Sequence, residues 1–274
     1  MRRVPWLGLI VVAMTVLFLA APVVFVVINS FNASQVSQFP PQSWSLRWYE
    51  EALTDETLID ALVLSLRIAV VAASLSTVGG LCAAYALTRR SFPGRQLVHS
   101  LINLPVSLPR IAVGLAGLIS YLTLAGSFAS MGVVDGQGWL ILMHAAITLP
   151  IVVGLGVSAL EAQNQQLESA SRDLGVGPVR TFLKVVLPLI LPTVLVTFAF
   201  TFMISFDELE SSLFMASESG NTLPVIMFII LETRLDPALA ALSSAMLAAI
   251  VVAVVIGWSF LRFLSRTRLP EQES

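Results

Sequence analysis

Apolar and polar positions along this chain do not alternate. They come in blocks. Six stretches run almost free of charge: residues 4–28, 61–87, 101–124, 139–160, 185–206 and 237–261. The hydrocarbon core of a bilayer takes about 20 helical residues, so each stretch is long enough to cross it. The pattern predicts an all-α integral membrane protein with six transmembrane helices.

Between the fourth and fifth stretches lies 161–192, the one long polar segment with helix-forming composition. Leu167, Ala170 and Leu174 fall at i, i+3 and i+7, on one face of a short helix. Asn164 is placed to cap it, and Glu168 and Arg172 form an i, i+4 pair with the acid first. Gly175-Val176-Gly177-Pro178 ends that helix, and Pro178 suits the first turn of another. A helix, a glycine turn and a helix should therefore project from the membrane as a compact knob.

The other connections are less regular. Residues 29–60 form a loop whose Trp44, Trp48 and Tyr49 are expected at a membrane interface. The third stretch carries Pro105 and Pro109, so its first half should kink or unwind. A short turn is expected over 126–138. Leu223 to Leu231 is apolar but only nine residues long, and with Pro224 at its start it reads as a re-entrant or interfacial helix. The domains read as a first helix and outer loop over 1–60, a membrane domain over 61–264 and a tail over 265–274.

Composition sharpens this picture. The 274 residues are 57% hydrophobic and 12% charged, against about 25% charged in soluble domains. The first apolar stretch exceeds a signal-peptide core and five more follow, so it reads as a retained helix. The single cysteine, Cys82, excludes an intrachain disulfide. Of the fifteen Lys and Arg, eleven gather on one side if both termini are cytoplasmic: Arg2, Arg3, Arg89, Arg90, Arg95, Arg172, Arg180, Lys184, Arg262, Arg266 and Arg268. Arg47, Arg67 and Arg234 fall on the other. That asymmetry puts the knob in the cytoplasm.

Candidate chemistry is sparse. The only lysine, Lys184, follows no glycine-rich loop, so the chain has no phosphate cradle of its own and no ATPase motif. No metal or cofactor motif is present, and no nucleic-acid partner is expected. Gly156-Val157-Ser158-Ala159 resembles a serine-hydrolase signature, but His144 lies about 21 Å along the helix from Ser158, out of reach as a base. Small residues there serve close helix packing instead. Arg110 is costly within a span, by about 2.5–3.5 kcal/mol, and either bonds backbone carbonyls freed by the prolines or faces a solute path. Asp207, Glu208 and Glu210 close the fifth stretch; Glu210 reads as a solvated helix end.

Ser169-Ala170-Ser171-Arg172-Asp173-Leu174-Gly175, followed by Val185-Val186-Leu187-Pro188, resembles the EAA loop of binding-protein-dependent ABC importer permeases. Serines replace two of its usual positions, and Glu168 stands one place early; the glycine, its spacing and Leu-Pro are intact. The likeness extends over roughly residues 61–264, and Ser205-Phe206-Asp207-Glu208 is similar to the spermidine/putrescine-type branch. The resemblance implies a non-enzymatic permease subunit in a prokaryotic inner membrane. Its implied partners are ABC ATPase subunits, a second homologous permease and an extracytoplasmic solute-binding protein. It assigns ATPase coupling to Glu168, Ser169, Ala170, Ser171, Asp173, Gly175, Leu187 and Pro188, and the substrate path to Arg110, Asp207 and Glu208. A lone Arg110 would repel a polyamine, so an amino-acid-like, opine-like or phosphonate solute stays open. A self-sufficient transporter or channel is the remaining alternative.

Overall fold

The computed structural model describes residues 6–35, 39–129, 135–233 and 236–266. Arg2, Arg3, Arg234, Arg268, residues 130–134 of the expected turn and 267–274 of the expected tail lie outside the described residues. Twelve helices account for nearly all of the described chain: α1 (Trp6–Ser30), α2 (Arg47–Thr54), α3 (Glu56–Arg89), α4 (Arg95–Ser107), α5 (Arg110–Ala129), α6 (Gly136–Glu161), α7 (Gln166–Asp173), α8 (Pro178–Thr181), α9 (Leu187–Phe206), α10 (Glu210–Ser219), α11 (Leu223–Thr233) and α12 (Pro237–Arg266). Four spans are unbroken, counting the α8–α9 run as one over Pro178–Phe206. The bent pairs α4–α5 and α10–α11 bring the number to six if each is one span. The apolar blocks instead put the sixth crossing on α12, which is 30 residues long and apolar over Pro237–Val252.

The chain divides into two compact units. In the first, Met1–Ile59 with Met227–Ser274, α12 packs along α1 and α2. Its loop after α1 departs from expectation. Trp48 is buried, its Nε1 donating to the Asn32 carbonyl at 2.7 Å, and Tyr49 shares a 2.7 Å hydrogen bond with Ser30. Only Trp44 of the three aromatics is exposed. An indole N–H with a buried carbonyl within reach is better satisfied inside than in the headgroups.

The second unit, Asp60–Ile226, is built on α6, whose neighbours are α4, α5, α9 and α10. Toward one end Leu140, Met143 and Ile147 form a core with Ile68 and Met215; toward the other Leu160 packs with Ala84, Val186 and Ile190. Small residues let α3 approach α6. A side chain on Gly80 would lie 2.6 Å from Val152, and one on Gly156 would lie 2.9 Å from Ala84. Without a hydrophobic drive between helices in lipid, such close contact is a main source of association.

The third apolar stretch is not one kinked helix. The residue before a proline is pushed to extended backbone, and Leu108 ends α4 in that conformation (φ −98°, ψ 146°). Pro109 then starts α5, its carbonyl accepting from Ala112 N and Val113 N, and the two helices meet at 107°. Pro105 sits within α4 and does not end it. A second proline leaves a milder mark: Pro188 has no N–H for the carbonyl four residues back, and the helix widens to a π turn over Phe182–Val186. Helix α10 has no counterpart among the elements expected from the sequence. It is amphiphilic through serines rather than leucines, burying Ser211, Ser212, Met215 and Ser219.

Candidate functional site

Two polar clusters stand out in the second unit. The first holds the knob. Helix α7 begins close to where Asn164 predicts, with Asn164 Oδ1 accepting from Gln166 N at 2.9 Å. It ends at Gly175, whose φ of +80° is a left-handed conformation that side chains rarely adopt. Ser171 Oγ then meets Thr181 Oγ1 at 3.1 Å, tying α7 to α8.

The knob is turned opposite to a soluble helix. Its acid faces in: Glu168 is 6% exposed, with Arg89 Nε at 2.8 Å and the Tyr85 hydroxyl donating at 3.2 Å. The i, i+4 partner Arg172 stands further off, 3.8 Å from Glu168, and donates to the Tyr85 hydroxyl at 3.0 Å. Arg89 also donates from Nη2 to the Leu160 carbonyl at 2.9 Å, capping the end of α6. Tyr85 and Arg89, one turn apart on α3, thus clasp α7 and the foot of α6 together. Meanwhile the apolar face that the spacing of Leu167, Ala170 and Leu174 defines looks out. Leu174 is 84% exposed, and Leu167, Ala170 and Val179 are exposed beside it.

Of the coupling candidates, Ser169, Ala170, Asp173 and Gly175 are exposed. Glu168 and Ser171 are engaged within the knob, and Leu187 and Pro188 are half-buried where α9 begins. Sequence spacing finds the knob but not its orientation. Arg89 lies 79 positions from Glu168, so nothing local signals that the acid is already taken.

The second cluster gathers where α5 begins and α9 breaks into α10. Arg110, the first residue of α5, forms an ion pair with Glu208 rather than with freed carbonyls or Asp207. Glu208 is buried. Its Oε1 accepts from Ser211 N and Ser211 Oγ at 3.2 and 3.0 Å, so the carboxylate also caps α10. Asp207 next to it is exposed and belongs to none of the three ion pairs among the described residues. Glu210 lies at the start of α10 and is likewise outside those pairs. A fifth group carries no signal in the sequence: His144, buried in α6, whose ring nitrogens each lie 2.9 Å from a serine hydroxyl, Ser205 and Ser212. Ser158 only bonds the Gly154 carbonyl within α6, so the hydrolase-like signature assembles no site.

Residues 75–268 match the model for "binding-protein-dependent transport system inner membrane component". The chain belongs to this family. Members of the family are inner-membrane permease subunits of ABC importers. They work with ATPase subunits, a second permease and a solute-binding protein, and the ATPase activity resides in those partners. Two curated relatives extend the match over nearly the whole chain. The putrescine transport system permease protein PotI of Escherichia coli K12 is 30% identical over 98% of this chain and 95% of its own length. The spermidine/putrescine transport system permease protein PotC of Haemophilus influenzae is 32% identical over 87% of this chain and 90% of its own. Among solved structures, a bacterial ABC transporter for import of the acidic polysaccharide alginate shares the fold. Its TM-score is 0.70 at 15% identity, covering 93% of this chain and 95% of that one.

Proposed function

We propose that the importer served by this permease carries a polyamine-class cation, with Asp207 and Glu208 on its path and the α7–α8 knob seated on an ATPase subunit. The observation that carries the sign of the solute is the Arg110–Glu208 pair. A free arginine beside a path repels a cation by about 4 kcal/mol at 4 Å and an effective dielectric of 20. Here Glu208 cancels it, and Asp207 is left uncompensated at the break, as is Glu210 just beyond it. The names of the two relatives point the same way. A zwitterionic, amino-acid-like solute is the second reading, because the Arg110 side chain stays 42% exposed and keeps an edge for a carboxylate.

The docking role rests on the outward apolar face of α7. Exposed Leu174 and Val179 have no use for water, and a cytoplasmic partner would cover them. ATP binding would close the ATPases, draw the knob inward and, through Tyr85 and Arg89, pull on α3 and α6. The spans would then rock from inward-open to outward-open.

The test is an uptake panel in liposomes holding the complete transporter with its binding protein. Putrescine and spermidine uptake is expected in the wild type and is retained in Arg110→Ala. Strong uptake of a monoacidic analogue, lost in Arg110→Ala, with no polyamine uptake in either, would overturn the cation assignment.

A further inference from the structure

His144 is one of the most enclosed side chains in the second unit, 1% exposed, yet it is polar and sits in an apolar helix. Its partners explain it. Ser205 lies in the last turn of α9, before the break, and Ser212 lies in the first turn of α10, after it. Asp207 and Glu208 are among the residues between. One ring therefore bridges both banks of the break.

The direction of the hydrogen bonds makes the bridge specific. A serine hydroxyl has a single proton. That of Ser212 goes to the Glu208 main-chain carbonyl at 2.7 Å, so Ser212 Oγ accepts from His144, and Nε2 carries the donating proton. The chain runs from the imidazole through Ser212 to the backbone of Glu208. The carboxylate of the same residue is held by Arg110 and Ser211. On the other bank, Nδ1 meets Ser205 Oγ. Glu208 is thus fixed at its backbone from α6 and at its side chain from α5 and α10. In low dielectric such a linked network holds each member more firmly than its bonds taken singly.

We infer that His144 is the positioning residue of the acidic break: it sets the angle between α9 and α10, and so where Asp207 and Glu208 stand on the path. The inference rests on the path reading proposed above. A helix-packing residue of the same volume would fill the space equally well but would leave the two serines unlinked.

The test uses the complete transporter with its ATPases and binding protein in liposomes, read by putrescine uptake and by ATP hydrolysis without binding protein. His144→Leu should leave assembly and basal hydrolysis within about twofold and lower putrescine uptake at least tenfold. His144→Gln, whose amide offers one donor and one acceptor, should recover uptake to within about threefold. Wild-type uptake in His144→Leu overturns the inference. So does a loss of uptake matched by an equal loss of basal hydrolysis, or a glutamine variant no better than leucine. Asp207→Asn and Glu208→Gln separate the two readings. If both transport normally, the path assignment falls and the inference with it; if they fail while His144→Leu transports, the inference alone falls. If the wild type does not carry putrescine, the deciding measurement is the reaction of Asp207→Cys with a cationic thiosulfonate in a Cys82→Ser background. Its rate must change tenfold between His144 and His144→Leu, and an unchanged rate overturns the inference.

Discussion

At the scale of single residues, the two adjacent acids have opposite circumstances, and their variants should separate. Asp207 is exposed and has no ion-pair partner among the described residues, so Asp207→Asn changes mainly the charge offered to a solute. Putrescine uptake should fall severalfold at low solute, with the ATPase still bound in a pull-down. Glu208→Gln removes the counter-charge of Arg110 and weakens the cap of α10, so the loss should include thermal stability of the purified complex, measured by fluorescence-detected melting. The sequence makes both acids visible because they interrupt an apolar run. It does not make their difference visible, since Arg110 comes from 98 positions away and is brought to Glu208 only by the break at Leu108. His144 is silent in the sequence for the same reason: its meaning lies in two serines 61 and 68 positions further on.

Elements are more legible than contacts. Long apolar blocks mark the spans, and Gly175 with Pro178 marks the turn of the knob, because those signals are local. A β-branched residue at φ +80° is strained by roughly 1–2 kcal/mol, so Gly175→Val should re-aim α8 against α7. Membrane insertion should survive and uptake should be lost; normal uptake would remove the turn from the coupling scheme. The clasp from α3 makes a second prediction. Glu168→Leu leaves Arg89 as an enclosed charge with only the Leu160 carbonyl, a cost of about 3–5 kcal/mol. Protease accessibility of the 161–178 segment should rise, and the double variant Arg89→Met with Glu168→Leu should restore much of the protection. Helix α10 escapes the sequence because its inward face is mostly serine, which scores as a loop until partners in α6 and at Glu208 are known.

On the scale of the whole molecule, the permease is an incomplete object, with an apolar face on α7 and others on the spans awaiting partners or lipid. Co-purification from gentle detergent should recover ATPase, and Leu174→Asp should release it while leaving the permease folded. The inward turn of Glu168 carries one more consequence, for ionic strength. Mobile ions screen exposed charges beyond about 8 Å at 0.15 M, but they reach an enclosed pair such as Arg89–Glu168 poorly. An apolar seat on the ATPase is likewise not loosened by added salt. Force transmission from the motor to α3 and α6 should therefore be indifferent to potassium glutamate between about 0.05 and about 0.5 M, read as ATP hydrolysed per solute imported. If a cation is captured at Asp207 as proposed, it has no such shelter, and the apparent affinity for putrescine should weaken across the same range. A cell that concentrates salt under osmotic stress would then keep a tightly coupled importer while its appetite for the solute declines.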